Sequence, residues 1–475
     1  MAPRFIRPLR LMATALALGG CVRFQPRPLS PGGTLDAFEA RTLDRADLGD
    51  YLRNHGQAPT WPRARWDLPA LTLAAFFYHP DLDVARAQWA VARGEGQSAG
   101  ERPEPSLSVA PGYNISTPSG PVSAWLATVG LAFPLETAGK RAHRVAQARE
   151  LSESARLNVV QTAWQVRRGV RTALLDLYAA ERTEVQALRK VDVQAEAADL
   201  FARQAEAGEL SPAEAGQVRI QLESTRLAAL AAEQGRAEAR AALASALGIP
   251  LQALAGIAFS FDELERLPAA PPSDAARRQA LLGRADILGA LAEYEASQAA
   301  LQLEIARQYP DLEIGPGYEF DQGDNKWSLG LTLTLPVFNR NRGAIRAAGA
   351  RRSEAAAKFA ALQARVIGEL DQAEAGCRTA RARIEAAGRL QDRLGKREQT
   401  ARAMLAAGEI SRVEVATRRL ESAESEQAGL DAKIEGLRAL GRLEDVLQSP
   451  FDLADWPGRV PPSGTAEGPG KESHE

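Results

Sequence analysis

The sequence predicts a mainly α-helical chain built as two repeats of helix, β-hairpin and helix, whose four strands form part of a β-barrel that one chain cannot close. Three observations carry this. The chain resembles itself at an offset of roughly 200 residues. Long proline-poor runs of Ala, Leu, Arg, Glu and Gln dominate each repeat, and between them lie segments with strict alternation of apolar and polar residues.

At the N-terminus, Arg4, Arg7 and Arg10 precede an apolar run over residues 11–18, the charged and apolar regions of a secretory signal. A membrane helix needs about 20 apolar residues, so this run is too short to span a bilayer. Leu18-Gly19-Gly20-Cys21 follows, and small residues before a Cys at the end of such a run resemble a bacterial lipobox. Residues 1–20 are therefore expected to be removed and Cys21 acylated, at the head of an extended lipidated segment over residues 21–60. The competing readings are an ordinary cysteine beside a conventional cleavage site, or a buried helix over the whole run. Val22 stands where an Asp commonly retains such lipoproteins in the inner membrane, which points to the outer one. A lipid chain contributes about 0.8 kcal/mol per buried methylene.

The other cysteine, Cys377, lies in a helical stretch, so an acylated Cys21 leaves no thiol pair for a disulfide. With 58 basic and 60 acidic residues the formal net charge is -2, which gives no electrostatic case for nucleic acid. His55, His79, His143 and His474 are scattered and form no cluster at metal-ligand spacing. Neither a catalytic set nor a phosphate-binding loop is recognisable. No enzyme activity, metal site or cofactor is expected.

The repeat is anchored in order along the chain. Pro105-Ser106-Leu107 with Pro111-Gly112-Tyr113 returns as Pro310-Asp311-Leu312 with Pro316-Gly317-Tyr318. Leu131-Ala132-Phe133-Pro134 returns as Leu333-Thr334-Leu335-Pro336, and Ala207-Gly208-Glu209-Leu210-Ser211 as Ala407-Gly408-Glu409-Ile410-Ser411. Leu247 with Pro250 returns as Leu447 with Pro450. Repeat 1 is placed over residues 61–266 and repeat 2 over 267–450, with a Pro-rich linker at 267–273 and a Gly-, Pro- and Ser-rich tail at 451–475 expected to be flexible.

Residues 71–100 and 286–308 read as helices, the first containing Pro80. Residues 140–207 and 343–407 are dominated by strong helix formers. At about 1.5 Å per residue each reaches on the order of 100 Å, too long to fold around a private core. Leu151, Val160, Trp164, Val170, Leu174, Leu177, Val185 and Leu188 recur at helical spacing, so coiled-coil packing is expected. Residues 212–247 and 412–447 read as shorter helices running back. At the turns, Gly208 and Gly408 suit the left-handed conformation that ends a helix, while Ser211 with Glu214 and Ser411 with Glu414 have capping-box spacing.

Strands are expected at about 105–115, 123–134, 310–321 and 326–336. Trp327, Leu329, Leu331, Leu333 and Leu335 take one face while Ser328, Gly330, Thr332 and Thr334 take the other. Leu312, Ile314, Pro316, Tyr318 and Phe320 share a face, as do Leu107, Val109, Tyr113 and Ile115, and Trp125, Ala127, Val129, Leu131 and Phe133. About ten residues is the length that crosses a bilayer when tilted, and Tyr113, Trp125, Tyr318 and Trp327 lie towards strand ends, where an interfacial girdle needs them. A soluble sheet with one face on a core shows the same alternation, and the long flanking helices favour the barrel. Four spanning strands leave two unpaired edges that lipid cannot satisfy, so the sheet must close with further chains. Two chains give eight strands and three give twelve, and the wider barrel is the one that leaves an open lumen.

A lipobox, two helix-hairpin-helix repeats and the recurring Ala-Gly-Glu-x-Ser turns together resemble the outer membrane efflux family typified by TolC, over almost the whole mature chain. The segment from Leu335 through Pro336, Val337, Phe338, Asn339, Arg340, Asn341 and Arg342 to Gly343 is similar to the heavy-metal-efflux branch of CzcC and CusC type. The resemblance implies a homotrimer, with a twelve-stranded barrel in the outer membrane continued by an α-helical tunnel through the periplasm. It implies two partners, a periplasmic adaptor and an inner membrane transporter of the resistance-nodulation-division type, with the channel itself passive. It places Gly208, Glu209, Leu210, Gly408, Glu409 and Ile410 at the tips where the adaptor docks. Glu414 matches the acidic residue that constricts the closed tunnel in this family, although capping of its helix is the simpler role. The family's second tunnel acid is absent, since Thr417 stands one turn further on. Drug efflux, type I secretion, or a purely structural periplasmic coiled-coil lipoprotein are the rival functions.

Overall fold

Two helices of 67 and 65 residues set the dimensions of the molecule: α5 (Lys140–Glu206) and α9 (Arg342–Ala406). The computed structural model describes residues 23–57, 60–116, 122–262, 264 and 274–449. Cys21, the 267–273 linker and the 451–475 tail lie outside the described residues. Among the described residues no helix is long and apolar enough to cross a membrane.

The N-terminal segment differs from expectation. In place of an extended stretch it carries α1 (Pro31–Glu39) and α2 (Ala46–Asn54). Leu48 and Leu52, one turn apart, are fully buried together with Leu43, so this segment has a core to pack into. The helix expected over 71–100 is divided at Pro80 into α3 (Leu68–Tyr78) and α4 (Pro80–Ala99). Pro80 has no N–H to continue α3, and it fits the first turn of α4, where none is needed. A short parallel ladder of β1 (Arg65–Trp66) and β4 (Ala258–Phe259), which the sequence did not announce, ties the two ends of repeat 1 together.

Repeat 1 continues with β2 (Ser106–Tyr113), β3 (Trp125–Leu135), α5, and α6 (Pro212–Leu247). Repeat 2 follows the same plan with α7 (Asp274–Leu282), α8 (Ala285–Ala306), β5 (Leu312–Asp321), β6 (Asp324–Leu333), α9, and α10 (Arg412–Leu447). Each long helix lies along its own returning helix, α5 with α6 and α9 with α10, and the two pairs meet where α10 packs on α5. The apolar core is a belt part-way along these helices. There Leu71, Val170, Leu174, Leu177, Leu243, Leu247 and Leu437 come together at essentially zero exposure, and a smaller cluster gathers Val366, Leu370 and Leu443.

The four long strands form one antiparallel sheet in the order β2, β3, β5, β6, so the two hairpins join through β3 and β5 and the outer edges belong to β2 and β6. The outer strands are shorter than the alternation predicts. β2 ends at Tyr113, leaving Ile115 beyond it, and β6 ends at Leu333, leaving Leu335 beyond it. Past these points the Asn114 N–H still donates to the Ala124 carbonyl at 2.7 Å, while Ile115 and Leu335 lie in no ladder.

Candidate channel wall, junctions and helix tips

The register of the sheet brings the four alternating patterns into phase. Leu107 lies opposite Leu131, Val129 opposite both Val109 and Tyr318, Phe133 opposite Ile314, and Ile314 opposite Leu331. One face is therefore continuous and apolar across all four strands, and because a one-residue slip would invert a strand, every ladder must keep this register. Leu107, Val109, Leu329 and Leu331 on that face are each more than 60 % exposed. The opposite face carries Ser108, Thr128, Glu319, Lys326, Ser328 and Thr332, with Gly130, Gly315 and Gly317 where backbone or a serine hydroxyl approaches closely.

The four predicted aromatics meet in two cross-strand pairs. Tyr113 and Trp125 have ring centroids 5.1 Å apart, and Tyr318 and Trp327 4.9 Å. Both pairs sit at the hairpin end of the sheet and so make one rim of it. The second hairpin turns tightly through Gln322 and Gly323, both at positive φ, as a two-residue connection requires.

At the other rim, sheet passes into helix. Gly139 and Asn341 occupy equivalent positions before α5 and α9, and both are left-handed, with φ of 70° and 56°. Here the two repeats are locked together. Lys140 Nζ donates to the Tyr309 carbonyl and to Asp311 Oδ1, each at 2.7 Å, and the Thr137 hydroxyl donates to the Pro310 carbonyl at 2.6 Å. Burial works against the charge on Asp311, but hydrogen bonds from Lys140 and Thr137 outweigh it and hold the carboxyl below its usual range.

At the far end, Gly208 and Gly408 both adopt φ of 78°. The Glu209 N–H donates to the Gln204 carbonyl and the Glu409 N–H to the Met404 carbonyl, each at 2.9 Å, closing Schellman turns in which glycine takes the left-handed site. The two tips then diverge. In repeat 1 the capping box is complete, since Ser211 Oγ accepts from the Glu214 N–H and the Glu214 carboxylate accepts from the Ser211 N–H at 3.1 Å. In repeat 2, Ser411 Oγ accepts from the Glu414 N–H at 3.2 Å, but the reciprocal half is not formed and Glu414 is exposed. The expected second capping box is thus half present. Leu210 and Ile410 are part-buried beside Glu209 and Glu409, which are exposed.

Sequence reasoning missed a buried charged group where α10 crosses α5. Arg167 is fully buried, Arg171 and Glu444 nearly so, and the Arg171 Nε–Glu444 Oε2 distance is 2.9 Å. Burial pushes the neighbouring Asp445 up to about 6, against the opposing pull of Arg168, Arg171 and Arg167. One sequence signal did exist, because Gly441 in a long helix leaves room for the Arg171 guanidinium: a Cβ there would lie 1.8 Å from Nη1. Among the described residues no group of three or more His, Cys, Asp or Glu side chains could hold a metal ion.

Known proteins share this architecture. The cobalt-zinc-cadmium resistance protein CzcC of Cupriavidus metallidurans is 27% identical over 218 residues, 46% of this chain and 51% of that protein, so the match spans about half the relative's length. The pyoverdine export outer membrane protein OpmQ of Pseudomonas aeruginosa is 24% identical over 365 residues, 71% of this chain and 74% of that one. The crystal structure of the outer membrane protein VceC of Vibrio cholerae superimposes with a TM-score of 0.66 at 19% identity, covering 81% of this chain and 97% of that one, and so shows the same fold. The outer membrane efflux protein family matches residues 75–249 and 276–447, one segment for each repeat, and the chain belongs to that family.

Proposed function

We propose that the chain is the outer membrane channel subunit of a tripartite efflux system, a passive exit duct for heavy-metal cations. The observation that carries this reading is the four-stranded sheet, apolar on one whole face and polar on the other, open at both edges and mounted on long paired helices. Three copies supply twelve strands, enough for a wall with lipid outside and water inside. The paired helices extend the wall on the order of 100 Å into the periplasm. The tips at Gly208, Glu209, Leu210, Gly408, Glu409 and Ile410 receive the adaptor, which links the duct to an energised inner membrane transporter of the resistance-nodulation-division type.

The metal assignment rests on the likeness to CzcC. In this assignment the cations are cargo, and the duct has no need of a resident metal site. Deleting the gene is expected to sensitise its host to cobalt, zinc and cadmium. Unchanged metal tolerance together with lost export of pyoverdine would favour the second reading, a duct for pyoverdine-like cargo, for which the longer match to OpmQ speaks.

Two further roles belong to this proposal. Cys21 carries the lipid that holds the N-terminus at the outer membrane, so Cys21→Ser abolishes fatty-acid labelling, and a labelled mutant would remove the anchor. Glu414, its carboxylate free of the reciprocal cap that Glu214 makes, faces its two copies across the tunnel axis as a ring of three acids. Glu414→Ala is then expected to reduce cation preference in planar-bilayer recordings, whereas traces identical to wild type would leave this residue only a place at a helix end.

A further inference from the structure

The internal repeat specifies how neighbouring copies meet. Within one chain, repeat 1 touches repeat 2 through β3 with β5 in the sheet and through α5 with both α8 and α10 in the helices. In a ring of copies repeat 2 must touch repeat 1 of the next chain in the same sense, through β6 with β2 and through α9 with both α4 and α6. From this correspondence we infer the residue-level interface between copies. The inference rests on the ring proposed above.

In the sheet, Phe133 lies opposite Ile314, Gly130 opposite Gly317 and Leu135 opposite Leu312. Their counterparts in the sequence repeat are Leu335 and Val109, Thr332 and Gly112, and Val337 and Leu107. β6 of one copy thus pairs antiparallel with β2 of the next, Thr332 opposite Gly112 and Leu335 opposite Val109. This register keeps every apolar residue on the lipid face. It also accounts for the short outer strands. Leu335 and Val337 past β6, and Ile115 past β2, are 64, 66 and 92 % exposed in the single chain, and pairing with the next copy extends the ladder over all three.

In the helices, Arg438 of α10 bonds Asp176 of α5 at 3.0 Å. At the offset of 200 residues that aligns the tips and the buried positions Val166, Val170 and Ala173 with Val366, Leu370 and Ala373, their counterparts are Glu238 on α6 and Gly376 on α9, so this ion pair is not repeated between copies. On the same face of α6, Ile220 and Leu230 are 66 and 61 % exposed, whereas their α10 counterparts Leu420 and Leu430 are half-buried within the chain. α9 of the neighbouring copy therefore covers Ile220 and Leu230 of α6.

Cysteine pairs in the full-length protein, in a Cys377→Ala background, test the register on the water-facing side. Gly112→Cys with Thr332→Cys is expected to oxidise to covalent multimers up to the trimer on a non-reducing gel. The shifted pairs Ala110→Cys with Thr332→Cys, and Asn114→Cys with Thr332→Cys, are expected to stay monomeric. Cross-linking through a shifted pair instead would overturn the register, and so would a protein that is trimeric on a native gel yet cross-links through none. A protein that is monomeric on that gel overturns the ring itself. For the helices, Ile220→Arg and Leu230→Arg each lower the temperature at which the detergent-solubilised trimer dissociates, and an unchanged dissociation temperature in both overturns the helical half.

Discussion

Glu444→Ala is expected to lower the unfolding stability of the detergent-solubilised protein by about 3–5 kcal/mol, because it removes the carboxylate from a buried pair and leaves arginine charge inside the belt. Arg171 lies 2.9 Å from Glu444 and Arg167 lies 3.6 Å away, neither with more than a few per cent of its surface exposed. Thermal unfolding followed by circular dichroism measures the loss, and a change of less than about 1 kcal/mol would mean that water reaches the site and screens it. The adjacent Asp445 gives the same region a dependence on pH. Its folded value of about 6 lies above the ordinary carboxylate value of 3.8, so the native state holds a proton that the unfolded state has already lost. Stability from this group is complete below the unfolded value and declines as pH rises from about 4 to about 6, by on the order of 3 kcal/mol. Asp445→Asn is expected to flatten the stability profile across that window.

In the proposed barrel, Leu331→Arg is expected to cost up to about 2–4 kcal/mol per chain in assembly, since it places a charge on the apolar face of β6, the face that reading turns to lipid. Thr332→Arg, one residue further along, lies on the polar face that the same reading turns to water, and should be tolerated. The two substitutions add the same group to neighbouring positions and differ only in the face they occupy. Recovery of folded protein in the outer membrane fraction reads the difference. Equal losses from both would mean that the apolar face is buried against protein, as in a soluble sheet.

The legible parts of this fold share a cause. The alternation of Trp327 to Leu333, the left-handed glycines at 208 and 408 and the starts of α6 and α10 were readable because each depends on residues a few places apart. The repeat added topology, since two copies of one plan predict two similar packing units. The N-terminal helices were not legible, because α1 and α2 are short and polar on one side, and burial of Leu48 and Leu52 depends on α3 and α5 being there. The capping box at Ser411 was half right, because spacing permits the reciprocal bond without compelling the Glu414 side chain to make it.

By itself, then, the sequence determined the lengths of the two long helices and their returning partners, the glycine turns between them and the two faces of every long strand, all of which follow from periodicity within one element. The tertiary structure alone decided which strand lies beside which, that Lys140 seats on Asp311 across the repeats, and that Arg171 meets Glu444. Those partners are separated by well over a hundred residues, and no local spacing encodes a meeting that is fixed only when two long helices pack side by side.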